Sequence, residues 1–234
     1  MRDQASGHVI ATRMLVCILA LVMIGGCATT RQTRTVEKTG FLGDYSDLRE
    51  GGSGEAQLVY IKPGARWATY DKIVIDPVTL WTSESIANVP PEDQQLLTDY
   101  LDASLRHHLE KDYKIVDRPE AGALRLRVAI TDAKGAHMVA NTVSKIVPQL
   151  RLLTTVGGLA TDTQVLVGRA GVEAELQDSV THERLAAAVD RRAGTKALRG
   201  GVSTWADFQN ACDYWSERLR TRLADLRGAK SGGG

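Results

Sequence analysis

Two spacings of apolar residues divide the chain. QLVYIK (57–62) and YDKIVIDPV (70–78) concentrate Val, Ile and Tyr between breaks at Pro63-Gly64 and Pro77, which predicts two strands. Pro90-Pro91-Glu92-Asp93 then places proline and acids where a helix begins. From there to about Lys111, Leu97, Tyr100, Leu101, Leu105, His108 and Leu109 recur every three or four residues and form one helical face. YKIV (113–116) is a short apolar run ended by Arg118-Pro119. ALRLRVAIT (123–131) is the clearest alternation, with Leu124, Leu126, Val128 and Ile130 on one side and Arg125, Arg127 and Thr131 on the other. VEAELQD (172–178) and RLAAAVDRR (184–192) predict a hairpin across residues 179–183. Its first strand separates Glu173, Glu175 and Gln177 from Val172, Ala174 and Leu176. A last helix is expected from about Thr204 to Arg227, capped by Ser203 or Thr204, with Asp207 in its first turn. Trp205, Phe208, Cys212, Trp215, Leu219, Leu223 and Leu226 make its apolar stripe. Strands, helix, strands and helix in that order predict an α+β fold: a mainly antiparallel β-sheet with two long helices packed on one face.

The N-terminus follows another pattern. Arg2 and Arg13 precede an uncharged apolar run from Met14 to Ile24, as in a secretory leader. A membrane span needs about 20 apolar residues, more than this run supplies. Ile24-Gly25-Gly26-Cys27 resembles the lipobox of bacterial lipoproteins, which implies cleavage before Cys27 and a diacylglyceryl group on its thiol. One acyl chain binds membranes only marginally, so such anchors carry two or more. Residue 28 is alanine rather than the aspartate of inner-membrane lipoproteins, so the same resemblance implies the outer membrane, with the domain facing the periplasm. The expected organisation is a signal peptide at 1–26, the lipidated cysteine and a polar, flexible tether at 27–39, a single α+β domain at 40–227 and a disordered glycine-rich tail at 228–234. Within that domain GFLGDYSDL (40–48) restores apolar content and is expected to dock on it, while EGGSGE (50–55) is a second loose stretch.

Charge narrows the partners. The chain has 29 Lys+Arg and 28 Asp+Glu; losing Arg2, Arg13 and Asp3 with the leader leaves 27 of each sign. A neutral balance gives no support to nucleic acid as a partner. Of three cysteines, Cys17 leaves with the leader and Cys27 takes lipid, so Cys212 has no partner for an intramolecular disulfide. Its place in the apolar stripe favours a packing thiol over a reactive one. Residues 145–168, KIVPQLRLLTTVGGLATDTQVLVG, are apolar yet broken by Pro148 and Gly157-Gly158, and long for a connection. They read as a cover over the sheet, as a partner-binding loop presenting Leu150, Leu152, Leu153 and Val156, or as a membrane-dipping segment.

Motifs for catalysis and metal binding are absent from the sequence: H-E-x-x-H, C-x-x-C, G-x-S-x-G and Walker A do not occur. His107 and His108 are adjacent, so on a helix they diverge by about 100° and cannot share a ligand set. Asp71, Asp76 and Asp132 fall near strand ends, where acids usually face water. No catalytic residues, metal or cofactor beyond the lipid on Cys27 are therefore expected, and the chain is expected not to be an enzyme.

Three features together, the Ile24–Cys27 box, GFLGDYSDL followed by YDKIVIDPV, and the hairpin at 167–194, resemble the bacterial lipoproteins of domain-of-unknown-function family 3313. The resemblance covers about residues 40–225 and departs at Thr181-His182-Glu183-Arg184, where such hairpins more often turn on glycine. It supplies no catalytic residues. The leading expectation is a non-enzymatic accessory lipoprotein that binds an envelope protein partner in a transport or other envelope assembly. The alternatives are a carrier holding a lipid or other apolar ligand between sheet and helices near Trp205 and Trp215, and a hydrolase.

Overall fold

The computed structural model describes residues 30–32, 36–81, 84–87, 89–134, 169–194 and 205–228. Its strands are β1 (Thr30–Gln32), β2 (Arg49–Glu50), β3 (Leu58–Ile61), β4 (Lys72–Ile75), β5 (Thr79–Leu80), β6 (Lys114–Ile115), β7 (Ala123–Lys134), β8 (Arg169–Asp178) and β9 (Arg184–Gly194); its helices are α1 (Glu84–Ala87), α2 (Pro91–Leu109) and α3 (Trp205–Gly228). The strands join in one sheet of order β2-β3-β9-β8-β7-β4-β6, with β1 beside β9 and β5 beside β7. β7, β8 and β9 pair antiparallel over almost their whole length and form the spine. β4 lies parallel to both β7 and β6 because α2 carries the chain back across the sheet between β4 and β6. The fold is α+β, with a mixed but mainly antiparallel sheet.

Period-two alternation determines what each face becomes. On one face Leu124, Leu126 and Ile130 are fully buried against Leu97, Leu101 and Leu109 of α2 and Phe208, Cys212 and Leu223 of α3. Both long helices lie on this face, as their apolar stripes predict. A polar seam joins them: Ser104 donates to Asp213 at 2.8 Å, and His108 Nδ1 lies 2.8 Å from Glu217 Oε2. Cys212 is fully buried, and burial pushes its thiol pKa well above the usual range, as a packing role requires.

The opposite face carries Arg125, Arg127, Glu173, Glu175 and Gln177, and residues 36–48 strap across it. Phe41, Leu42 and Tyr45 bury against Ala129, Ala187 and Val189. Glu173 is wholly buried and accepts hydrogen bonds from the Thr39 backbone N–H at 3.0 Å, the Thr39 hydroxyl at 2.9 Å and the Tyr45 hydroxyl at 2.5 Å. Those three donors offset the cost of removing a carboxylate from water. Glu175, 3% exposed, is held by Arg127 and Arg184, each at 2.6 Å. Arg184 also donates to the Leu42 and Asp44 carbonyls, tying the strap to β9. The docking expected of GFLGDYSDL is therefore present, and its anchor is the acidic row of β8.

Several details depart from the sequence reading. Thr30–Gln32, within the expected tether, pair with Arg192–Gly194 as β1. The expected loose stretch at 50–55 is an ordered turn: Glu55 accepts from Gly52 N–H at 2.9 Å and pairs with Arg49 and Arg222. Asp132 does not face water; it is 2% exposed and meets Arg191 at 3.2 Å, beside the bulge where Gly171 crosses β7. A Cβ at Gly171 would come within 2.9 Å of Asp132 Cβ, so the close crossing depends on glycine. The turn at 179–183 places His182 at φ 60°, the left-handed conformation that the missing glycine implies. Cys27, the box at Ile24–Gly26, residues 145–168, the capping residues 203–204 and the tail beyond Gly228 lie outside the described residues.

Candidate functional site

Residues 184–192 place three alanines in succession, and alanine is a weak strand former with only a methyl group to fill space. Ala186 and Ala188 face the helices, opposite Leu176 and Ala174 of β8 and Ile61 and Val59 of β3. α3 bridges this low ground instead of settling into it. Between them lies an apolar cavity of about 170 Å³, floored by Ala174, Ala186 and Ala188 and roofed by Trp215, Leu219 and Leu226. An apolar cavity of about 150 Å³ suffices to admit benzene, so the space suits one small apolar group.

Polar groups gather only at the rim. Asp190 accepts from the Trp215 indole N–H at 2.8 Å and from the Gln32 amide at 2.7 Å, which orients the indole over the cavity and joins β1 to its edge. Arg192 stacks over Tyr214, with its guanidinium carbon 3.7 Å from the ring centre. Glu55 lies below the ordinary carboxyl pKa, held down first by the Gly52 N–H and then by Arg49. Arg218 and Arg222, one turn apart on α3, complete the rim. The arrangement offers an apolar contact surface with two arginines and two carboxylates at its entrance.

Among the described residues the other candidates do not assemble. His107 lies near Glu110, at 3.6 Å, and His108 pairs with Glu217, so the neighbouring imidazoles point to different partners. His137 is outside the described residues. Asp76 pairs with Arg125 near the start of β7, while Asp132 pairs with Arg191 near its end, roughly 20 Å away at 3.3 Å per residue. No group of three or more His, Cys, Asp or Glu able to hold a metal is found among the described residues. Of the two tryptophans expected beside a pocket, Trp215 roofs the cavity; the Trp205 side chain lies outside the described part. Leu150, Leu152, Leu153 and Val156 also lie outside it. The cavity's floor was not anticipated, although three alanines in mid-strand signalled it.

Residues 37–219 match the family described as "protein of unknown function (DUF3313)". The chain belongs to this family. The matched region spans nearly all of the strap, every strand but β1, α2 and most of α3, as the motifs at 40–48, 70–78 and 167–194 imply. No curated protein matches the chain. Solved structures similar to it include PelC, a dodecamer from Paraburkholderia phytofirmans, at 15% identity and TM-score 0.38 over 70% of this chain and 95% of that one. A candidate lipoprotein from Caulobacter crescentus CB15 is 12% identical, with TM-score 0.31, over 70% of this chain and 95% of its own. XCC0632 from Xanthomonas campestris, of family DUF330, is 14% identical, with TM-score 0.31, over 72% and 87%. At such scores the site is read from this DUF3313 chain's own residues.

Proposed function

We propose that this DUF3313 chain is a non-enzymatic binding lipoprotein, anchored in the outer membrane through acylated Cys27 with its domain in the periplasm, and that it holds an apolar group in the cleft beneath α3. The cavity over Ala174, Ala186 and Ala188 carries this reading, because small side chains keep open a space that leucine or valine would close. The leader and the Ile24–Cys27 box support the anchor, and no described helix is long and apolar enough to cross a membrane. The cleft favours the carrier of an apolar ligand over a loop-mediated accessory role, whose contact residues are outside the described part.

The test uses the full chain carrying Cys27→Ser, so that no acyl chain of its own competes. An uncharged naphthylamine fluorophore is expected to brighten on titration. Ala188→Phe should abolish the signal while leaving cooperative unfolding intact. Equal brightening in the variant, or none in either protein, overturns the reading.

A further inference from the structure

Resting on that reading of the cleft, we infer that its ligand is a single-chain anionic amphiphile, a free carboxylate of the fatty-acid type whose tail enters the cavity and whose head group is met by Arg218. The cavity's size restricts the tail. At about 170 Å³ it takes one short chain, and the two chains of a membrane lipid are too large for it.

The rim identifies the head group. Both carboxylates lining it are engaged: Glu55 with Arg49 and Arg222, and Asp190 with Trp215 and Gln32. Arg222 thus already has a carboxylate partner, which it shares with Arg49. Arg218 lines the same entrance and is exposed, and among the described residues it makes no ion pair. Its guanidinium rests on Gly54, where a Cβ would stand 2.8 Å from Nη2. Gly54, at φ +76°, is therefore the residue that leaves room for the arginine at the mouth of the cavity. An uncommitted guanidinium over an apolar hole presents two parallel N–H donors, which match the two oxygens of a carboxylate.

The experiment displaces the naphthylamine fluorophore from the full Cys27→Ser chain with octanoate and, separately, with 1-octanol. Octanoate should compete about three- to tenfold more strongly than the alcohol at low salt, as expected for one partly exposed charge-assisted contact. The preference should fall toward unity with Arg218→Gln, shrink at high ionic strength, and persist with Arg222→Gln. Gly54→Ala, which displaces the guanidinium, should weaken octanoate alone. Equal competition by acid and alcohol overturns the head-group assignment and leaves the cleft reading intact. An equal loss of preference in both arginine variants overturns the assignment to Arg218. If the fluorophore never binds, the cleft reading itself fails.

Discussion

Replacing Tyr45 by Phe removes one oxygen and tests whether the strap is held by the acid beneath it. The hydroxyl donates to Glu173 at 2.5 Å and accepts the Gly40 N–H at 2.8 Å. Glu173 is fully buried, and its other donors both come from Thr39. A hydrogen bond to a charged group contributes about 1.5–3 kcal/mol, and the variant leaves the Gly40 N–H short of an acceptor as well, so a loss of about 2–3 kcal/mol is expected. For a chain of this size that lowers Tm by roughly 4–12 °C, at about 2–4 °C per kcal/mol. Burial and then Glu173 raise the Tyr45 hydroxyl above its ordinary pKa, so the donor survives mildly alkaline buffers. Urea unfolding followed by tryptophan emission gives the global value. Trp81 also reports locally, since its indole donates to the Thr39 carbonyl at 3.0 Å and packs edge-on to Phe41. The same change in a Glu173→Leu background should cost much less, because the acceptor is gone. A loss under about 0.5 kcal/mol in the wild-type background, below the range for hydrogen bonds to charged groups, would refute the buried-acid latch.

His182→Gly should stabilise the domain by about 0.5–1 kcal/mol by relieving the left-handed backbone at φ 60°, read as a higher urea midpoint; a lower midpoint would mean the side chain contributes more than the turn strain removes. Cys212 should resist a thiol reagent at neutral pH until urea unfolds the chain, because it is wholly buried and its pKa is raised; prompt native labelling would contradict the packing of α3. Asp178 lies below its ordinary pKa, chiefly through the Thr181 N–H, and Glu217 is lowered by His108. A depressed carboxyl adds stability that is present above its unfolded pKa and lost as pH falls through the folded one. The urea midpoint should therefore change little for these groups above about pH 5 and decline below about pH 4. A midpoint that rises on acidification would reverse that sign.

What the sequence made legible is local. Alternation at 123–131 identified the buried side of β7, and three- and four-residue spacing marked the faces of α2 and α3 that reach the core. Residues 40–48 showed enough apolar content to dock. Their destination depends on Thr39 meeting Glu173, 134 positions away, and no periodicity encodes that pairing. The acidic row of β8 carries no sign of its cover for the same reason: charge alternation looks identical whether water or a strap lies over it. Asp132 misled similarly, because its burial follows from a bulge and a glycine on the neighbouring strand. The parallel pairing of β4 with β7 and β6 was hidden because strand direction depends on the crossover, and β4 by itself reads like any short apolar strand.

The alanines of β9 show most clearly how one local pattern yields two outcomes. Ala187 faces the strap, where the side chains of Phe41, Leu42 and Tyr45 fill the space above it. Its neighbours Ala186 and Ala188 face α3, whose Trp215, Leu219 and Leu226 roof the space without filling it, and the cavity remains. If the hollow served packing alone, filling it should be pure gain, since cavity-filling substitutions commonly add about 0.5–2 kcal/mol. A hollow kept for a ligand makes stability and binding trade against each other. Ala188→Phe separates the two cases within one protein: a higher urea midpoint together with lost fluorophore binding identifies a space maintained for function. A higher midpoint with binding unchanged would place the bound group elsewhere, and a sharply lower midpoint would show that α3 already lies as close to the sheet as its side chains allow.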